Sequence, residues 1–522
     1  MKLANAMELA GQNLLHCLSP RRNYLPFWSL EVDPDLEAEY NFWWPAHNIG
    51  RWWDATLRLE ASIGFSVPAH IEAAMLQNLQ RFFDNPDHVP FAPFSLPEVM
   101  PFYELHSLRE GLLALTALVR YRSSRWAAAE GNKMVESVLG RLNRDNTWNT
   151  QKFHYYQTNA EKSDWEKKFA HDLTITHGRL LEAVVWFYEA TCDPAALELA
   201  DRLARHHLQH SVNADGSIPQ DARLTHTHSW FGTLRGLLLY GEITLQREYI
   251  DVVEATYRRS VRTSVKESGF IGHDFGADTG GETTSPGDAA QIALWLGLRH
   301  GYTEYLDDAE RIIRARMLPS QFSEPPAIRP KEDNGRDEFL NLAERSVGAF
   351  GGVTLEPHAG KRVVTDVTAA GLHTCCDIYD HIVTSRPQGT QINFHFDYAD
   401  DEIVLKSERS EKATLTINKR MSGDLFIRIP GWVPGESVAV AVDGAEQELL
   451  MIGAYAYVPA RAGAARVVLT YDLPEHTSVE PTDGVDYHIS WRGDDVSGIW
   501  PNSTASPFYP DAPEPVMESA KR

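Results

Sequence analysis

Carboxylates and imidazoles gather in a few loops of this sequence, in patterns that suit chemistry on sugars. The stretch GFIGHDFGADTGGETTSPGD sets Asp274, Asp278 and Glu282 close together beside His273, among glycines whose bare backbone can approach a ligand. Glycosidic cleavage needs such a pair: one carboxyl protonates the leaving oxygen while the other attacks or activates water. Crowded carboxylates push one another's pKa apart, which makes one an acid and another a base. Asp274 and Glu282 are therefore the expected catalytic pair. The competing reading is local, with Thr284 or Ser285 capping a helix and Glu282 and Asp288 solvated around it. In THTHSWFGTLRG, His226 and His228 open a further helix, with Arg235 two turns on, and His228 is the expected cleft residue. QKFHYYQTN offers His154, Tyr155 and Tyr156 to sugar hydroxyls, as binders or as acid and base. NFWWPAHNIGRWWDATLRLE offers Trp52 as a stacking platform and Arg51 as its hydrogen-bonding neighbour, against the alternative that these tryptophans are core. Glu356 and His358, in the last long loop, complete the ring of substrate-binding candidates. No HExxH, CxxC pair, P-loop or dinucleotide fingerprint is present.

These loops need a frame. From about residue 45 to 385 apolar residues recur at helical spacing, in segments running from His47–Ala61 to Val367–Thr384 with a short one near Asp337–Glu344. The segments fall into pairs, which predicts six helical hairpins closed into an (α/α)6 toroid. The connections 143–171, 209–227 and 266–284 are too long for turns, and each precedes the first helix of a hairpin, so they should crowd one end. After Ser385 the pattern changes to alternation with turn residues, as in KATLTINK and ARVVLTYDL, which predicts an antiparallel β-sandwich. The expected division is a leader over 1–44, the toroid over 45–385, the sandwich over 386–485 and a wrapping segment and tail over 486–522. The fold class is thus mainly α with a β domain.

The 522 residues carry 49 Lys plus Arg against 72 Asp plus Glu, a formal charge of −23 that disfavours nucleic acid and anionic membranes as partners. No apolar run is long enough to span a bilayer, and polar residues interrupt the first twenty, so a cytoplasmic location is expected. Four cysteines cannot build a disulfide framework. The 14 Trp and 21 His suit a cleft in which rings stack on sugar faces and imidazoles meet hydroxyls. Exposed sandwich edges make a homodimer an open expectation.

Three blocks carry a family resemblance. ITHGRLLEAVVWFYEATCDPAALELADRLARHH, GGETTSPGDAAQIALWLGLRHGYTEYLDDAERIIRARML and DLFIRIPGWVPGESVAVAVDG resemble the corresponding motifs of the β-L-arabinofuranosidase family, six-hairpin glycosidases. The resemblance implies an exo-acting hydrolase with a pocket at the toroid mouth, and a zinc held by one Glu and three Cys. Glu282 matches the ligand Glu and His177 the substrate-contacting His, but Thr284 stands where the family has a Cys. Cys375 and Cys376 are adjacent but lie in a helix-patterned stretch that does not match the family pair, so zinc becomes an open expectation, with Glu282, His273 and His358 as alternative donors. The leading function is a glycoside hydrolase that removes a terminal sugar from short oligosaccharides. The alternative is a uronate lyase or dehydratase using His and Tyr, with Arg51, Arg223 or Arg235 neutralising the uronate. A non-catalytic sugar-binding protein is the third reading.

Overall fold

A computed structural model describes residues 2–27, 29–32, 37–39, 45–91, 105–154, 173–219, 225–326, 340–352, 356–420, 422–460 and 463–514. Among them, twelve helices form two concentric rings. The inner ring consists of α2 (Pro45–Ile63), α4 (Leu108–Arg122), α6 (Leu180–Thr191), α8 (Thr227–Thr244), α10 (Thr284–His300) and α12 (Thr365–Asp380), each packed on the next, with α12 returning to α2. The outer helices are α1 (Leu3–His16), α3 (Ala69–Phe83), α5 (Arg125–Gly140), α7 (Pro194–His210), α9 (Arg247–Thr256) and α11 (Tyr305–Ile312). Local chemistry sets the starts: Ser124 accepts from Ala127 N at 3.2 Å to cap α5, and Asp193 accepts from Ala195 N at 3.2 Å to cap α7, which opens on Pro194. Inner helices are buried on nearly every face, as α8 is from Thr227 to Gly241, because each meets two ring neighbours, an outer helix and the axis.

The sixth hairpin differs from the sequence expectation. The outer partner of α12 is α1, from the expected leader, and not the segment near 337–344. Leu3, Ala6, Met7, Ala10 and Leu14 bury one face of α1, and Trp52 Nε1 donates to Leu14 O at 3.2 Å. The short helix Leu342–Ser346 lies beside it, and Arg345 Nε donates to His16 O at 2.7 Å.

The sandwich pairs a six-stranded sheet, from Tyr398–Ala399 to Ala445–Gln447, with a five-stranded one, from Val383–Arg386 to Leu450–Ile452. Ile392 and Ile427 of one and Leu415 and Leu469 of the other share one core. Pairing is antiparallel except where Gly389–Ile392 runs parallel to Leu425–Arg428. A further antiparallel sheet, Glu475–Thr482, Val485–Arg492 and Asp495–Trp500, extends into the expected wrapping segment. Residues beyond it do fold back on the toroid, where Tyr509 Oη donates to Ala315 O at 2.6 Å. The RIPGW motif clamps the two units: buried Arg428 pairs with Asp307 and Glu310 of α11, and Gly431 N donates to Asp307 Oδ2 at 2.9 Å. Among the described residues no helix is long and apolar enough to cross a membrane.

Candidate active site at the mouth of the toroid

The starts of the inner helices meet around the axis, and their side chains form one buried ionic network. Glu110 of α4 accepts from Arg109 at 2.8 Å and from Arg179, and lies 3.3 Å from Arg51 Nε of α2. Glu182 of α6 pairs with Arg109 and, at 2.9 Å, with Arg235 of α8, which reaches Asp288 of α10 at 2.7 Å. His47 Nε2 lies 2.9 Å from Asp366 Oδ2 of α12, and its ring stacks on His106 at 4.8 Å. Carboxylates suit these positions because helix N-termini carry partial positive charge. Deeper on the axis, His373 Nδ1 lies 2.6 Å from Asp54 Oδ2, Arg58 donates to Asp54 at 2.8 Å, and Gln291 donates to Asp377 at 2.6 Å. The axis is therefore plugged beneath its mouth.

At the mouth, the 266–283 loop crosses the start of α8 as a short ladder. His226 and Asp274 form a bridge, Thr227 N donates to His273 O at 2.9 Å, and Phe275 N donates to Thr225 O at 2.8 Å. A tight turn follows, closed by Ala277 N donating to Asp274 O at 3.0 Å, with Gly276 at φ +90° where a side chain would be strained. This ladder brings His273 beside His226, ring centroids 4.6 Å apart, and Glu282 Oε1 lies 3.1 Å from His226 Nε2. Burial raises the Glu282 carboxyl, but the imidazoles of His226, His228 and His273 outweigh it and hold the group well below the usual carboxylate range. Asp274, partly exposed, has Oδ1 3.2 Å from His273 Nδ1. Asp278 is exposed and pairs with Lys266 at 3.2 Å. Glu282 and Asp288 are buried, so the solvated-cap alternative does not hold.

His228 lies at the start of α8, in the axial network, with both ring nitrogens engaged. Arg51 Nη2 donates to His228 Nε2 at 2.5 Å, which fixes the proton on Nδ1 for donation to Asp288 Oδ2 at 2.5 Å. Burial, reinforced by Arg51 and Arg179, holds the ring neutral. Both nitrogens are engaged, so His228 links Arg51 to Asp288 and has no lone pair for a substrate proton. His177 departs from expectation. A wide π turn over Thr174–Gly178 rotates it outward, where Nδ1 lies 2.9 Å from His207 Nε2 of α7, and places Arg179 on the axis instead. Burial, helped by His206, drops its pKa to about 3.

Trp52 is fully buried against α1 and is core, not a stacking platform. His154 lies at the surface with Nδ1 2.8 Å from Asp87 Oδ1, and Tyr155, Tyr156 and Arg223 fall outside the described residues. Glu356 pairs with Lys361 at 2.5 Å and accepts from Ser503 at 2.6 Å. His358 is buried between Arg316 and Tyr487, 3.7 Å from Glu480 of the C-terminal sheet, and does not join Glu282. Arg109, Glu110, Arg179, Glu182 and Asp288 were missed as site residues. Their signal was a charge on an otherwise apolar helix face.

The thiolate zinc site implied by the resemblance does not fit this chain. Thr284 replaces one Cys, and Cys375 and Cys376 are buried in the α12 core, where burial pushes the Cys375 thiol up to about 12. An imidazole–carboxylate set does fit: one donor atom from each of His226, His273 and Glu282 lies within 4.8 Å of the others.

No family model matches the sequence. No curated protein matches it either. Solved structures do. A GH127 β-L-arabinofuranosidase from Geobacillus stearothermophilus T6 superposes at TM-score 0.55 and 14% identity, over 87% of this chain and 76% of that chain. A second GH127 β-arabinofuranosidase gives 0.57 and 14%, over 93% and 78%. A sugar epimerase from a ruminal bacterium gives 0.51 and 10%, over 74% of this chain and 100% of that one. The chain thus shares the toroid fold of GH127 arabinofuranosidases and of a sugar epimerase.

Proposed function

We propose that this chain is a glycoside hydrolase that takes a terminal sugar from short oligosaccharides at the toroid mouth. The observation that carries the reading is Glu282: a buried carboxylate at the start of an inner helix, 3.1 Å from His226 Nε2 and beside the partly exposed Asp274. The glycosidase neighbours of the same fold support it. In this reading Glu282 is the anion facing the sugar's reactive carbon. Asp274 is the proton donor: one oxygen accepts from His273 Nδ1–H, and the other carries the proton to the leaving oxygen. Arg51, braced by Glu110 and His228, borders the pocket and fixes sugar hydroxyls.

One feature favours a second reading, elimination from a terminal uronate: Arg179 lies near His226, a buried imidazole whose pKa burial lowers so that it can act as a base, and Arg51 lies beside the neighbouring His228. Incubation with a panel of β-arabinofuranosides, uronides and deoxyhexosides distinguishes the two. Hydrolysis releases a reducing monosaccharide with no new ultraviolet absorbance. An absorbing unsaturated product establishes the second reading, and no product from the whole panel removes the first.

A further inference from the structure

The mouth trio has a second layer that hydrolysis alone does not require. His226 Nδ1 lies 2.9 Å from Ser229 Oγ, one turn along α8 and buried, so donation to that hydroxyl directs Nε2 toward Glu282. His273 Nδ1 is matched in the same way by Asp274 Oδ1 at 3.2 Å. The two rings belong to backbone segments held together by the Thr227 N to His273 O bond and the His226–Asp274 bridge, which set their separation. Imidazoles anchored through one nitrogen by a hydroxyl or carboxylate, with a buried carboxylate facing the pair, are arranged as metal ligands are.

We propose that His226, His273 and Glu282 hold one divalent cation of the zinc type, with Ser229 and Asp274 as positioning residues that set the two rings. Two nitrogens and one oxygen is the protein donor set of catalytic zinc and differs from the thiolate set of the resembling family. A cation there polarises a bound water or sugar hydroxyl. The inference rests on the trio alone and stands whether or not the hydrolase reading does.

The test uses full-length protein made without an affinity tag, stripped with a chelator and titrated with Zn(II) and, separately, Co(II). The expected result is one equivalent bound per chain, with visible Co(II) absorption bands of a low-coordinate site. His226→Ala and His273→Ala abolish the bands, Asp274→Ala and Ser229→Ala weaken affinity by roughly 10- to 100-fold, and His154→Ala leaves it unchanged. Circular dichroism of each metal-free variant separates lost binding from lost folding. The inference is overturned if wild-type protein binds no stoichiometric metal, or if folded His226→Ala and His273→Ala bind as wild type does. Sugar release by wild-type protein that binds no stoichiometric metal would retain the hydrolase reading while this one fell, and stoichiometric metal without sugar release would do the reverse.

Discussion

His228 shows how a residue's neighbours decide its chemistry. On the sequence it is a histidine at the start of an inner helix, expected to face the cleft. In the fold, Arg51 occupies one nitrogen and Asp288 the other, so the ring transmits the position of Asp288 to Arg51. His228→Ala should leave two buried charged groups short of a partner and lower stability by about 1–3 kcal/mol, measured by chemical denaturation; an unchanged midpoint would show that water replaces the ring without penalty. Glu282 and Arg51 were legible because a charge near a predicted helix start already points to the axis. His177 was not, because one π turn shifts the register and exchanges its place with Arg179. Sequence spacing assumes a regular helix, and no local pattern signals that extra residue.

The helices themselves were legible, since periodicity and caps are local, but the closure of the ring was not. The apolar face of α1 is as clear in sequence as that of any other helix, yet its partner α12 lies more than three hundred residues away. Only the three-dimensional need for a twelfth helix identifies it. Gly11 is where α1 passes closest, because a Cβ there would stand 2.3 Å from Leu59 Cδ2 and 3.0 Å from Phe65. Gly11→Val should therefore destabilise the toroid by about 1–3 kcal/mol through overpacking, seen as a lower thermal midpoint. A midpoint equal to wild type would mean that α1 is not packed against α2 as described. The RIPGW stretch, part of the family resemblance, proves to be an interface element joining sandwich and α11.

At the scale of the molecule, several histidines away from the mouth are buried structural rings. Burial holds His177 near a pKa of about 3 and His395, between toroid and sandwich, near about 4, while His207 and His358 are held well below the usual value. The unfolded chain takes protons at these rings below about pH 6.5 and the native chain does not, so the unfolded state binds more protons as pH falls. Stability is fully present above about pH 6.5 and declines from there toward pH 4, by about 1.4 kcal/mol per unit for each such group. Thermal midpoints at pH 7 and pH 5 should differ accordingly, and a flat profile across that interval would contradict neutral burial of these rings. The buried charges around the axis explain why the fold directs chemistry to its mouth: among the described residues, the charged groups Arg109, Glu182, Arg235 and Asp288 below Glu282 are paired with one another. The most direct test of that claim is the rate of monosaccharide release by wild type and Glu282→Gln on the best substrate of the panel, with folding verified. The account predicts a loss of at least about 100-fold with the thermal midpoint retained. A folded Glu282→Gln protein that releases sugar at the wild-type rate would contradict it.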